Sequence, residues 1–295
     1  MTVEGPLAEL RALIARHARG DETTALDGVL LSAAGTRGEP RASTSGTVFA
    51  LIAQGAKRLA IGERVYEYRA GQYLVASVDL PITGHYSRAS AAAPALGFGL
   101  VLRPPAIASL LLEEPGAAGG GAGVPAGLGV ADAAPALLDA VLRMLRLLDA
   151  SAGDQQVLAP MIEREILWRL ITGPLGQSVR QIGLTDSSLT HISRAVRWIT
   201  DHHNKPFRVD ELARACGMST SAFHRAFHAV TALSPIQFQK QIRLQKSRLL
   251  LMTGEHDVAT VGHRVGYDST SQFSREYRRQ FGFPPGRDAA RLRRA

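Results

Sequence analysis

The side chains best suited to chemistry in this sequence form two short clusters in its C-terminal part. Each cluster follows a glycine, Gly217 or Gly266, and combines hydroxyl groups with arginine. Such side chains can hydrogen-bond to base edges and phosphates in the major groove of DNA. The candidate DNA-contacting residues are Ser219, Thr220, Ser221, His224 and Arg225 in the first cluster, and Ser269, Thr270, Ser271, Gln272, Ser274, Arg275 and Arg278 in the second.

The two clusters belong to a repeated segment, residues 209–235 and 258–285. Each copy has a short apolar helix, a glycine, a group of Ser and Thr, and a second helix with aromatic residues four apart. Phe223 and Phe273 both stand twelve residues before a proline. This pattern predicts two helix-turn-helix units, with the glycine at the turn and a serine capping the second helix. The alternative is a pair of helical hairpins whose polar faces are merely solvated.

Residues 236–252 connect the two repeats and are predicted to form one helix. Seventeen residues at about 1.5 Å each span roughly 25 Å. A rod of that length can hold two recognition helices near one turn of DNA apart, about 34 Å. Its cationic side chains contact phosphates or form a solvated face, and the sequence leaves both open: Lys240, Arg243, Lys246 and Arg248.

The charge distribution also singles out the C-terminal part. Of the 295 residues, the first 180 contain 16 Lys/Arg and 17 Asp/Glu, whereas residues 181–295 contain 18 and 9. The formal net charge of +8 therefore comes from the C-terminal part alone. A basic domain beside a neutral one indicates a polyanionic partner, with nucleic acid first, although basic charge can also serve solubility alone.

The N-terminal part has a different pattern. Residues 7–19 predict an amphipathic helix, and residues 46–102 contain short β-branched and aromatic runs between turns, typical of a small barrel or sandwich. Residues 115–136 are rich in Gly, Ala and Pro and predict a linker or loop, after which helices begin. Side chains alternate between the two faces of a strand, which predicts one inward-facing set in this part of the chain. This set either lines an effector pocket or merely fills the core of the barrel: Phe49, Leu51, Tyr66, Tyr68, Tyr73 and Val75.

Motifs for catalysis and cofactor binding are missing from the sequence. It contains no G-x-S-x-G, phosphate-binding loop or dinucleotide fingerprint. His85 is the single histidine of the predicted barrel, so no three-histidine metal site is expected there, and His224 and His228 lack a third ligand. The lone Cys216 excludes a disulfide within the chain, and no apolar run is long enough for a membrane span. We therefore expect no metal, no cofactor, no membrane contact and a cytoplasmic location.

The C-terminal residues resemble the AraC/XylS family of transcription regulators. The resemblance covers residues 191–293 and rests on the paired units, the G-Y-D-S-x-S-x-F-S-R run from Gly266 to Arg275, and the proline after each recognition helix. The family commonly has Tyr-Arg after the last proline, where this chain has Gly286, Arg287 and Asp288. Residues 54–84 resemble a cupin-like effector domain of one AraC-type subfamily, and residues 137–149 and 159–176 resemble the helical segment that follows it. This resemblance implies a small-molecule sensing or dimerising role.

The predicted fold class is α+β: a cupin-like β-barrel with a helical connector, then an all-α domain of two helix-turn-helix units. The predicted segments are an effector domain (1–114), a linker (115–136), a connector or dimerisation segment (137–185) and a DNA-binding domain (186–295). The predicted function is sequence-specific transcription regulation without enzymatic activity. Double-stranded DNA is the expected partner, and a small-molecule effector, RNA polymerase and a second copy are further candidates. The alternatives are a cupin-type enzyme with a DNA-binding tail and a DNA-packaging protein without sequence preference.

Overall fold

The computed structural model describes residues 4–113, 124–184, 187–254 and 257–293. They form two compact units, Met1–His191 and Ile192–Ala295. The first combines antiparallel sheets with helices and the second is helical throughout, so the predicted α+β class is confirmed. None of the described helices combines the length and apolarity that a bilayer crossing requires.

The first unit contains two antiparallel sheets. The five-stranded sheet has the order β1 (Val29–Ala34), β8 (Ala95–Val101), β3 (Val48–Gln54), β6 (Gln72–Ala76) and β9 (Leu128–Asp132). The four-stranded sheet has the order β2 (Arg41–Thr44), β7 (Pro81–Arg88), β4 (Ala56–Ile61) and β5 (Arg64–Arg69). Strands β1, β2 and β9 lie outside residues 46–102, where the sequence predicted all the strands.

Helices cover one face of the five-stranded sheet. They are α1 (Glu4–His17), α2 (Pro104–Glu113), α3 (Pro135–Arg146), α4 (Ala152–Ile171) and α5 (Gly176–Gly183), with a 3-10 turn at Leu147–Asp149. Phe49 and Leu51 of β3 stand opposite Val75 and Tyr73 of β6, and all four lie in one buried core with residues of α1 and α3 such as Ile14. The opposite face of this sheet is turned toward the four-stranded sheet.

Two predicted boundaries in this unit are corrected. Within the expected linker 115–136, residues 128–132 instead form β9, which pairs with β6 at the edge of the five-stranded sheet. Residues 114–123 lie outside the described residues. The second helical segment, for which the resemblance gives residues 159–176, begins earlier in the structure, at Ala152, since the hydroxyl of Ser151 accepts a hydrogen bond from the Asp154 N–H and caps the helix there. Pro160 is accommodated inside that helix.

The second unit is built from helices. After α6 (Ser188–Asp201) come α7 (Val209–Ala215), α8 (Thr220–Thr231), α9 (Pro235–Thr253), α10 (Val258–Arg264), α11 (Thr270–Phe281) and α12 (Pro285–Leu292). The pairs α7–α8 and α10–α11 are the two predicted helix-turn-helix units, and α9 is the predicted connecting helix. Ser234 caps α9 in a reciprocal hydrogen-bonded pair with Gln237, and Pro235 occupies its first position. Its 19 residues correspond to roughly 28 Å of helix.

Candidate nucleic-acid interface and ligand cavity

Glycine is required at the two turns for different structural reasons. Gly217 has a φ of +69° and open space where a Cβ would stand, so only its backbone conformation calls for glycine. Gly266 has a φ of +94°, and a Cβ there would lie 2.5 Å from the carbonyl oxygen of Asn204. The second turn therefore requires glycine both for its backbone angle and for a close backbone approach.

Serines begin both recognition helices, as the sequence predicts. Ser219 Oγ accepts a hydrogen bond from the Ala222 N–H, and Ser269 Oγ accepts one from the Gln272 N–H, each at 3.3 Å. Both hydroxyls are therefore used in capping, which positions the first turn of α8 and of α11. Direct contact of these two serines with DNA stays a prediction.

Aromatic side chains fix which face of each recognition helix is turned inward. Phe223 and Phe227 of α8 are fully buried, as are Phe273 and Tyr277 of α11. The remaining predicted DNA-contacting side chains consequently lie on the outer side of their helices. Thr220, Ser221, His224 and Arg225 are exposed on α8; Ser271, Gln272, Arg275 and Arg278 are exposed on α11, with Thr270 and Ser274 half-buried.

The arginines on these outer faces lack an ion-pair partner among the described residues. Among the described residues, no carboxylate forms an ion pair with Arg225, Arg275 or Arg278. Arg279 is likewise exposed and unpaired within the described part of the chain, although it was not among the predicted DNA-contacting residues. The consecutive Arg278 and Arg279 were the signal that could have found it. Unpaired guanidinium groups on a helix surface are available to phosphates and to guanine.

The cations of α9 behave differently. Arg243 donates from Nε to the His203 carbonyl (2.6 Å) and from Nη1 to the Gly266 carbonyl (2.8 Å). Lys246 donates to the Thr200 carbonyl at 3.1 Å. Lys240 forms a 2.9 Å ion pair with Glu276 of α11. These side chains hold α9 to the second helix-turn-helix unit and to the end of α6, so a merely solvated face is wrong for them. Their contact with phosphates, the other interpretation left open by the sequence, stays a prediction.

Glu276 is the acceptor at the centre of this contact. It accepts hydrogen bonds from Lys240, from Tyr267 (2.8 Å) and from Gln272 (3.3 Å). Burial raises the pKa of Glu276, but these donated hydrogen bonds outweigh burial and leave the pKa below its ordinary value. Gln272 is thus partly committed to the fold, which competes with its predicted role at DNA.

The chain's departure from the family pattern after the last proline is structurally important. Asp288 of α12 is completely buried, and its carboxylate accepts from Arg248 Nε (2.9 Å), Tyr277 Oη (3.0 Å) and Arg291 Nη2 (3.3 Å). These bonds join α12 to α9 and to α11. Burial of the phenol raises the pKa of Tyr277, and the neighbouring Asp288 carboxylate raises it further. Asp288 therefore stabilises the packing of α12 against the second helix-turn-helix unit.

A cavity of about 640 Å³ lies between the two sheets of the first unit. Leu51 and Tyr68 line it, as predicted for an effector pocket, but Phe49, Tyr66, Tyr73 and Val75 do not. Alternation correctly places Phe49, Tyr73 and Val75 on one face, yet that face packs against the helices. The cavity is lined mainly from the other face, for example by Ser32 and Ala50. Strand alternation alone does not distinguish a face that packs against helices from one that packs against a sheet, so it could not assign the pocket to the correct face.

Metal binding has little basis in the described residues. Within residues 4–113, 124–184, 187–254 and 257–293, no three His, Cys, Asp or Glu side chains are grouped so that they could hold a metal ion. Cys216 is a buried free thiol, and burial raises its pKa. The candidate functional features of the described residues are therefore the exposed arginine and hydroxyl groups on α8 and α11 and the cavity between the two sheets.

Two family models match the chain. The model of the AraC-type transcriptional regulator N-terminus matches residues 25–178, and a helix-turn-helix domain matches residues 212–291. Among curated proteins, the chain is 29% identical over 143 residues to the HTH-type transcriptional activator RhaS of Salmonella arizonae. That match covers 47% of this chain and 51% of RhaS, so the chain spans about half the length of the curated relatives it matches.

Solved structures share the fold over nearly the whole chain. An apo form of a ToxT variant from Vibrio cholerae aligns over 92% of this chain and 100% of its own, with a TM-score of 0.53 at 10% identity. Wild-type ToxT from Vibrio cholerae with a bound unsaturated fatty acid aligns over 89% and 95%, with a TM-score of 0.52 at 10% identity. At this identity the similarity concerns the fold alone.

Proposed function

Because the chain belongs to the AraC-type transcriptional regulators, whose N-terminal model matches more than half of it, we propose that it binds specific double-stranded DNA sequences and that a small molecule controls this binding. The observation that carries the proposal is the pair of helix-turn-helix units with unpaired arginines on the outer faces of α8 and α11. Paired units supply two recognition surfaces from one chain, and each can enter a major groove.

Base recognition is assigned first to Arg225 and Arg275. Each is exposed and follows its helix cap by six residues, so the two occupy equivalent positions in the two units. Arginine can bind guanine bidentately, and such a contact discriminates against the wrong base by about 1–3 kcal/mol. Thr220, Ser221, His224, Ser271 and Arg278 supply further hydrogen bonds to bases and phosphates around them.

Effector control is assigned to the cavity of the first unit. A volume of about 640 Å³ falls within the range of roughly 300–1,000 Å³ that is usual for small-molecule sites. ToxT, which shares the fold, has been crystallised with an unsaturated fatty acid, which supports a ligand-binding role for this class of protein. The proposed mechanism is that the bound ligand changes the affinity of residues 186–295 for DNA through the connector, residues 137–185.

No catalytic role is assigned, since the relatives are named as transcription regulators. A second copy of the chain and RNA polymerase stay predicted partners, and action on DNA accords with the predicted cytoplasmic location. The cupin-type enzyme stays the competing function, and turnover by the purified protein would revive it.

The test is selection of binding sites from a random duplex pool with full-length protein at about 0.15 M salt. We expect one motif with two half-sites about one helical turn apart. Weak, strongly salt-dependent binding without a motif would contradict sequence-specific regulation and favour the packaging alternative. A comparison with residues 181–295 tests control: equal promoter regulation by both proteins under every condition would contradict a role for the N-terminal unit.

A further inference from the structure

Lys57 of β4 is a charged side chain on the wall of the cavity between the sheets. It stands opposite Tyr68 of β5 and Tyr86 of β7, and all three residues line the cavity. Its Nζ lies 5.2 Å from the centroid of the Tyr86 ring, which is a cation–π contact. The side chain is only partly exposed, and its ammonium lies on the cavity wall beside the Tyr86 ring.

Within the described part of the chain, no Asp or Glu forms an ion pair with Lys57. The other charged residues around the cavity are Glu22, Glu39 and Arg41, together with His85, which can take a proton. Burial lowers the pKa of Lys57, and the charge of Glu22 opposes this effect. A partly enclosed cation without an ion-paired carboxylate is costly, so a ligand that supplies a negative charge is favoured at this position.

The groups beside Lys57 complete an amphipathic site. Ser32 of β1 and Tyr86 of β7 share a 2.5 Å hydrogen bond that crosses from one sheet to the other. Gly97 leaves room for this bond, because a Cβ there would lie 2.8 Å from Ser32 Oγ. Much of the remaining wall is aliphatic and includes Leu30, Val48, Ala50, Ile52, Leu59 and Ile82.

We propose that this cavity binds an amphipathic carboxylic acid, with its carboxylate on Lys57 Nζ and the Tyr86 hydroxyl and its apolar body among the aliphatic side chains. The proposal rests on the proposed function in taking the cavity as the effector site. A neutral polyol fits less well, since it would need more polar partners than this wall supplies. A cationic ligand is disfavoured because it would face the ammonium of Lys57.

The probes are decanoate and 1-naphthoate, each paired with its primary amide, so that shape is kept and charge removed. Binding to the full-length protein is measured by isothermal titration calorimetry at pH 7.5. We expect at least one of the two acids to bind, and at least tenfold more tightly than its amide. The two acids distinguish an aliphatic from an aromatic body. If neither acid binds, or if acid and amide bind equally, the proposal is overturned.

Lys57→Met tests the assigned residue, and Arg58→Met is the matched control. Arg58 is adjacent on β4 but exposed, so its loss removes the same charge from the outer side of the sheet. We expect Lys57→Met to abolish the acid preference and Arg58→Met to retain it within twofold; retention in Lys57→Met overturns the assignment. Ala50→Phe fills the cavity from the opposite sheet and is expected to abolish acid binding. If Lys57→Met does not fold, the acid–amide comparison and Ala50→Phe still decide.

DNA binding measured in parallel separates the two proposals. Acid binding that depends on Lys57 but leaves DNA affinity unchanged would support the ligand class and contradict effector control through this cavity. A neutral compound that changes DNA affinity, with no acid binding, would support effector control and overturn the carboxylic acid.

Discussion

Replacement of Asp288 by alanine is expected to destabilise the helical second unit more than any exposed substitution. The carboxylate is 0% exposed, and the Arg248 side chain that it pairs with is only 12% exposed. Removing the acid leaves the Arg248 guanidinium enclosed without its partner and also removes the acceptor of the Tyr277 hydroxyl. Breaking a buried pair in this way typically costs about 3–5 kcal/mol, against a total stability of about 5–15 kcal/mol for a domain.

Trp198 lies in the second unit and Trp168 in the first, and they are the chain's two tryptophans. In a Trp168→Phe background, urea unfolding followed by fluorescence therefore reports on the second unit. We expect Asp288→Ala to lower its free energy of unfolding by about 3–5 kcal/mol. The control Asp201→Ala, at an exposed acid in the same unit, should change it by less than about 0.5 kcal/mol.

A double variant tests whether the stranded charge of Arg248 causes this loss of stability. If the cost comes from a stranded charge, replacing both partners with apolar residues, Asp288→Leu with Arg248→Met, should recover much of the loss. A loss below about 1 kcal/mol in Asp288→Ala, or a double variant less stable than the single one, would refute the assigned role of this ion pair.

Two further predictions concern the second unit. Gly217→Ala should cost about 1–2 kcal/mol from backbone strain alone, whereas Gly266→Ala should cost at least twice as much because its Cβ meets the Asn204 carbonyl oxygen; equal losses in urea unfolding would contradict this. Burial, and then the neighbouring Lys246, lower the pKa of His203, so the unfolded chain takes up its proton at higher pH than the folded chain does. Stability should therefore fall as the pH drops below about 6.5, and His203→Asn should reduce that slope; an unchanged slope would contradict the assignment.

The helix-turn-helix units could be predicted in detail because their signals are local. The positive-φ glycines, the serine caps at Ser219 and Ser269 and the aromatic pairs all act within about a dozen residues of one another. The predicted outer faces of α8 and α11 consequently match the exposed side chains of the structure. A repeated local pattern carries most of the information that such a unit needs.

The features that the sequence did not predict depend on partners distant in the chain. Strand β1 pairs with β8, more than sixty residues later, and β9 was hidden in a Gly/Ala-rich segment. The carboxylates of Glu276 and Asp288 engage Lys240 and Arg248 about forty residues away, so nothing near those cations in the sequence marks them as structural. Phe49 is a similar case, because the sequence predicted that its side chain points into the core but not that it packs against helices rather than against the second sheet.

Both helix-turn-helix units are proposed to recognise bases. The most direct measurement is the base preference of full-length protein at every position of the selected site, compared with Arg225→Ala and Arg275→Ala, with Arg287→Ala, an exposed arginine on α12, as the matched control. We predict that each of the first two variants relaxes a different half-site by about 1–3 kcal/mol and that the control leaves both unchanged. Loss of affinity without any change in base preference would contradict base recognition by these arginines.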